Sequence, residues 1–120
     1  RFQGVNIPEE ATILDAWIQF GVKANHNLHP IDLNIYAEAI ANAPAILTNN
    51  SNLSNRTSGN YQVNWRPRLW TVPNQVGIDQ RTPDISCLIQ EVIELPGWQQ
   101  GNSILLMISG TGRRTAWSYD

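Results

Sequence analysis

The chain has a single cysteine, Cys87, among its 120 residues, so no disulfide can form within it. The apolar neighbours Ile85, Leu88 and Ile89 mark that thiol as a small buried hydrophobe, and one thiol neither requires nor excludes an oxidising compartment. Charge is sparse too: 15% of residues are charged and the net charge is −2. With Arg113-Arg114 a pair and not a patch, no electrostatic footprint for nucleic acid is present. No apolar run is long enough to cross a membrane as a helix; the longest, SILLMISG at 103–110, fits a buried strand. A nucleophile elbow, a phosphate loop, a zinc-binding helix motif and an EF-hand loop are all missing. No initiator Met or leader precedes Arg1, which reads as a mature product or a fragment of something larger.

What is present is alternation. Residues 12–22 put Leu14, Ala16, Ile18, Phe20 and Val22 on one face, with Ile13, Asp15, Trp17, Gln19 and Gly21 on the other. Residues 31–40 repeat the pattern, with Ile31, Leu33, Ile35, Ala37 and Ala39 opposed to Asp32, Asn34, Tyr36 and Glu38. The two runs read as an antiparallel pair with one dry and one wet face, joined by the polar loop KANHNLHP. A symmetric loop would set Trp17 opposite Tyr36. Residues 61–65 alternate again, and Pro67 and Pro73 make the next stretch irregular. One helix is expected over about 83–95: Thr82-Pro83-Asp84 is a start signal, Ile85, Leu88, Ile89, Val92 and Ile93 follow at helical spacing, and Pro96-Gly97 ends it. A strand over 103–109, a GTG turn and a strand over 113–119 complete the chain. The expectation is one all-β domain over 1–120, a jelly-roll-like β-sandwich with one short helix.

Candidate chemistry is thin. His26 and His29 are spaced for a shared metal on a turn, but no carboxylate or thiol is near in sequence, and an exposed hairpin loop is the weightier reading. Asp79, Asp84 and intervening carbonyls could gather oxygens for calcium. A capping role explains Asp84 better. Glu91 and Glu94 read as solvated helix carboxylates, so no catalytic residue and no cofactor is assigned. The five tryptophans are more informative. Trp65 shares a face with Val63 and reads as core, and Trp70 and Trp98 as packing under loops. Trp17 falls on the polar phase of its strand and Trp117 lies near the chain end. With Tyr36, Gln19 and Asn34, these two form a candidate carbohydrate- or partner-binding set, because indoles stack on sugar rings as readily as they fill an interface.

RFQGVNIPEEATILDAWIQF resembles the LRF-x-G-V-x-IP-x-GA-x-I-x-x-A-x-I-x-F opening of a β-sandwich domain of bacterial secreted and surface proteins. VNWRPRLW, GIDQRTPDISCLIQEVIELPGW and GNSILLMISGTGRRTAWSYD resemble its later parts, in order, over nearly the whole chain. More distantly, the sequence is similar to DNRLRE-type, disaggregatase-related domains, some of which bind polysaccharide. The resemblance implies a jelly-roll-like sandwich, an extracellular setting and no enzymatic activity. Two departures stand out. Strands usual before RF and after SYD are missing, and Trp117 replaces a residue that is more often charged. A sandwich lacking terminal strands leaves unpaired edges, which further residues of the same chain or a strand from a neighbouring subunit would fill.

NNSNLSNRTS, at 49–58, contains three Asn-x-Ser/Thr triplets, at Asn49, Asn52 and Asn55. They fall in the longest irregular segment, where exposure would permit glycosylation. Two functions follow as expectations. One is a non-catalytic structural module of a surface fibre or adhesin-like protein, self-associating or joined to neighbouring domains at the cell surface. The other is a carbohydrate-binding module built on Trp17 and Tyr36. Neither involves nucleic acid or membrane insertion.

Overall fold

A computed structural model describes residues 1–25, 30–48 and 51–118. Strands β1 (Val22–Ala24) and β5 (Thr115–Ala116) pair antiparallel in a two-stranded sheet, and β2 (Asp32–Ala37), β3 (Val63–Trp65) and β4 (Leu106–Thr111) make an antiparallel sheet ordered β3-β2-β4. A single helix, α1, spans Ser86–Ile93, with one 3-10 turn at Ile78–Gln80 before it.

The central strand β2 forms where alternation is cleanest. Its Ile35 and Ala37 are fully buried, and Ile35 sits between Val63 and Ile108 across the sheet. Its neighbours are not those expected from the alternation. Residues 12–22 do not pair with 31–40. Instead they run extended beside 75–85, with Phe20 N–H donating to Gln80 O (3.0 Å), Thr82 N–H to Ile18 O (3.1 Å) and Val22 N–H to Gln75 O (3.0 Å). A period of two fixes which side chains face inward and leaves the identity of the neighbour open. The phase also slips once. Ile13, Ala16, Ile18 and Phe20 turn inward, whereas Leu14 is 86% exposed.

Helix α1 is shorter than 83–95 at both ends. Asp84 lies before it and accepts from Ser86 N–H through Oδ1 (2.9 Å) and from Ser86 Oγ–H through Oδ2 (2.8 Å). These bonds hold the turn into the first helical residue. At the other end Gly97 adopts φ +92°, which an L side chain rarely takes, so the chain turns away there. Leu88 and Val92 are buried on the inner face, each stabilising by about 1.5–3 kcal/mol relative to exposure. Cys87 is exposed, contrary to the buried role its neighbours implied, because it points off the Leu88–Val92 stripe. No helix among the described residues is long and apolar enough to cross a membrane.

The core lies between the three-stranded sheet, α1 and residues 13–20. At one end Phe20 and Trp65 stack with centroids 5.4 Å apart, and Trp70 packs 6.1 Å from Phe20. The buried indoles keep their N–H groups satisfied: Trp70 donates to Asp79 O and Trp98 to Ile7 O, both at 3.2 Å. Trp65, Trp70 and Trp98 are all core residues. The expected strand 103–109 is displaced toward the C terminus, and the one expected over 113–119 is reduced to Thr115–Ala116.

Candidate functional site

The inner edge of residues 11–18 is paired largely by side chains. The Gln90 amide acts as a substitute peptide group: its Oε1 accepts from Ile13 N–H (2.8 Å) and its Nε2 donates to Ala11 O (3.2 Å). Asp84 Oδ1 accepts from Ala16 N–H, and Thr82 Oγ1 accepts from Ile18 N–H, both at 3.0 Å. Extended chain alternates its backbone groups from side to side, so those of Trp17 and Gln19 point the other way. No described residue bonds to them.

A second open edge faces the same hollow. Ile104 and Phe2 exchange both backbone hydrogen bonds (2.8 and 3.0 Å) on the side of the chain away from β2. By alternation, the backbone groups of Leu106, Ile108 and Gly110 lie on that outer side too, and no described residue pairs with them. Between the two edges is an apolar groove of about 300 Å³, lined by Ile13, Ile18, Ile85, Ile89, Ile104 and Leu106 among others. Further along β4, Ile108 is on the inward-facing side yet 42% exposed, over a second hollow of about 280 Å³ beside Phe20 and Trp65. The two edges and their hollows form a seam in which no described residue pairs with the backbone of Trp17, Gln19, Leu106, Ile108 or Gly110, and β5 with Trp117, bonded along the same edge at Gly21, closes one end of it.

Trp17 and Gln19 stand on this seam; the other candidate residues are elsewhere. Trp17 and Tyr36 are not cross-strand neighbours, because their strands do not pair. Tyr36 is half-buried against a minor core of Ala43, Leu105 and Met107. Asn34 belongs to a polar lattice on β2 and β3, where Asn64 Nδ2 donates to Asp32 Oδ1 (2.6 Å) and Asn34 Oδ1 (3.2 Å), and Arg66 pairs with Asp32 (2.7 Å). The hydrogen bond from Arg66, then that from Asn64, lowers the Asp32 pKa below the usual carboxylate value, and the bond to Asp32 raises the pKa of Arg66. Trp117 donates to Asn74 Oδ1 (3.2 Å), with the Lys23 ammonium 5.1 Å from its ring. The Arg81 guanidinium lies 4.5 Å from the Trp17 ring, in a shallow cleft of about 430 Å³ that also includes Asp15, Ile78 and Pro83.

Glu38, expected on the wet face, is buried. It forms a 2.8 Å ion pair with Arg56, the two side chains being 9% and 6% exposed. Arg56 also donates to Pro44 O, Ala45 O, Asn52 O and Asn52 Oδ1, so all five of its N–H groups find acceptors. The Asn-rich loop is therefore built around a buried guanidinium. Its Asn52 is half-buried, with Oδ1 also accepting from Leu47 N–H (3.1 Å), whereas Asn55 is exposed. Asn49, His26 and His29 lie outside the described residues. Asp79 and Asp84 hold no cation-like cluster: Asp79 is 3.7 Å from Arg68, and both Asp84 oxygens accept protein hydrogen bonds. The bonds from Ser86 N–H and Ala16 N–H, followed by that from Ser86 Oγ–H, lower the Asp84 pKa. Among the described residues no three of His, Cys, Asp and Glu come together as a metal site.

No protein-family model, curated protein or solved structure matches this chain. The resemblance to secreted β-sandwich domains thus rests on its quoted motifs.

Proposed function

We propose that the chain is a non-catalytic structural module of the cell surface or extracellular space, a jelly-roll-like sandwich completed by a strand from a neighbouring copy, and so a subunit or repeat of a fibre or adhesin-like assembly. The observation that carries this reading is the seam. It offers a guest strand backbone partners on both flanks and an apolar floor beneath, the arrangement strand addition needs. The contrast with the opposite sheet edge supports it. There β3 is three residues long, Pro67 follows it, and Asp32, Asn64 and Arg66 crowd its polar face. Such features discourage edge pairing. The β4 edge has Leu106 and Ile108, no charge and no proline over six residues.

Ile108→Pro tests the reading. The Ile108 N–H points outward, so proline there removes a donor for the guest strand while leaving the β2–β4 ladder intact. Sedimentation velocity and electron microscopy of the unaltered chain are expected to show concentration-dependent polymers, and the variant to stay monomeric with unchanged circular dichroism. A strictly monomeric wild type, or a variant that polymerises like it, defeats the proposal.

A second reading is favoured by the Trp17–Arg81 pair: a polysaccharide laid against the indole, with Asp15 and Arg81 meeting its hydroxyls. Trp17→Ala would then abolish retention on a polysaccharide that holds the wild type and leave assembly unaffected. Retention unchanged by the substitution removes this reading. In a glycosylating host Asn55 is the better-placed acceptor, since the Asn52 amide is used inside the loop.

A further inference from the structure

The Asn-rich loop closes back on the end of β2. Ala39 N–H donates to Thr57 O (2.9 Å) and Gly59 N–H to Ala37 O (2.8 Å), which holds the return segment against the strand end. Between residues 38–40 and 51–57 a polar hollow of about 330 Å³ remains. Ligand pockets run from about 300 to 1,000 Å³, so this one suits a single small ring.

The buried Glu38–Arg56 pair lines the hollow. Arg56 takes Glu38 Oε2, and its remaining donors go to the loop. Glu38 is only 7% exposed, yet no described residue donates to its Oε1. That oxygen is not sealed in, because Gln80 Oε1 is the only fully buried side-chain polar atom without a partner among the described residues. The hollow is the space it meets. Other groups there are also unspent. Asn52 uses Oδ1 twice, for Leu47 N–H and Arg56, and no described residue accepts from its Nδ2. Ser51, Asn55 and Thr57 line the hollow too, are exposed, and have side chains to which no described residue bonds. Ile40 and Pro44 add apolar surface.

Glu38 balances Arg56, so the hollow has no net charge with which to hold an ion. What it offers is an acceptor-only carboxylate oxygen, the Asn52 Nδ2 donor, and an amide and two hydroxyls that both donate and accept. A ligand answering this set must donate and accept at closely spaced points and present C–H groups to Ile40 and Pro44. Adjacent hydroxyls on a sugar ring do both. We infer that the hollow is a binding site for one neutral sugar ring, with Glu38 Oε1 accepting from a ring hydroxyl and Asn52 Nδ2 donating to the next. Arg56 acts as a positioning residue: it fixes the Glu38 carboxylate before the sugar arrives, which lowers the cost of ordering on binding. The site is separate from the seam and from Trp17, and it stands whichever of the two functions above holds.

The test uses chain made without N-glycosylation, so that Asn55 is bare. Glucose, galactose, mannose and N-acetylglucosamine are each offered free and as the methyl glycoside. Saturation-transfer NMR, which reads the sugar and works whether or not the chain assembles, is expected to show transfer to at least one of them. Asn55→Ala/Thr57→Val and Glu38→Gln should each weaken that binding by about tenfold, the effect of losing two neutral hydrogen bonds or one to a charged group. Circular dichroism checks folding. Glu38→Gln disturbs the buried pair, and if it unfolds the double variant decides, since both of its residues are exposed and their side chains do not hold the loop. Retained binding of the methyl glycoside assigns the end of a glycan as the source, and its loss assigns a free sugar. Transfer to none of these sugars, or equal binding by wild type and the folded double variant, overturns the site.

Discussion

Arg56 is buried in a loop whose composition announces exposure. Its partner Glu38 lies 18 residues away, at the end of β2, and the other three acceptor residues are Pro44, Ala45 and Asn52. A buried guanidinium is tolerated because every donor is satisfied, and removing it strands a buried carboxylate. Arg56→Ala should cost about 3–5 kcal/mol by urea denaturation, and adding Glu38→Ala should return part of that loss. A single-variant loss under about 1 kcal/mol would mean the pair behaves as a surface ion pair. None of this is legible from spacing. Glu38 continues the polar phase of Asp32, Asn34 and Tyr36, and nothing local distinguishes a carboxylate that meets water from one that meets Arg56. The buried tryptophans are different: Trp65 shares a phase with Val63, so its place in the core can be read from alternation.

At the level of elements, residues 11–18 form a strand in all but their partner. The helix and its approach supply the side chains of Gln90, Asp84 and Thr82 and only two backbone bonds, Thr82 N–H to Ile18 O and Ile85 N–H to Ala16 O, in place of a regular ladder. That explains why strong alternation from 12 to 22 yields regular strand only at Val22–Ala24. The face was visible in the sequence except at the slip around Leu14, while the neighbour was not, because contact with 75–85 depends on long-range packing. The helix itself was legible from Leu88, Ile89, Val92 and Ile93, and its ends were less so because Asp84 works from outside it. Asp84 also gives this element a pH dependence. Its folded pKa is lowered below 3.8, so the stabilisation is present above the unfolded value and is lost as pH falls through the folded one. The melting temperature of wild type should exceed that of Asp84→Ala at neutral pH, and the gap should narrow in that acid range. A gap constant with pH would assign the effect of Asp84 to something other than its charge.

At the scale of the molecule, two antiparallel sheets and one helix enclose an aromatic core, yet from Leu106 to Gly110 no described residue pairs with the outer edge of β4. An edge of this kind is invisible to a reading by periodicity, since Leu106 and Ile108 look the same whether or not a strand lies beside them.

Pairing by side chains also has a mechanical consequence. A backbone ladder loaded along its strands resists because many hydrogen bonds share the load. Residues 11–18 are held by the tips of Gln90, Asp84 and Thr82, each swivelling on single bonds, and by backbone bonds only at Ala16 and Ile18. Tension applied along this segment would be borne unevenly by those few contacts, and the joint between the segment and α1 would give way before the β2–β4 ladder does.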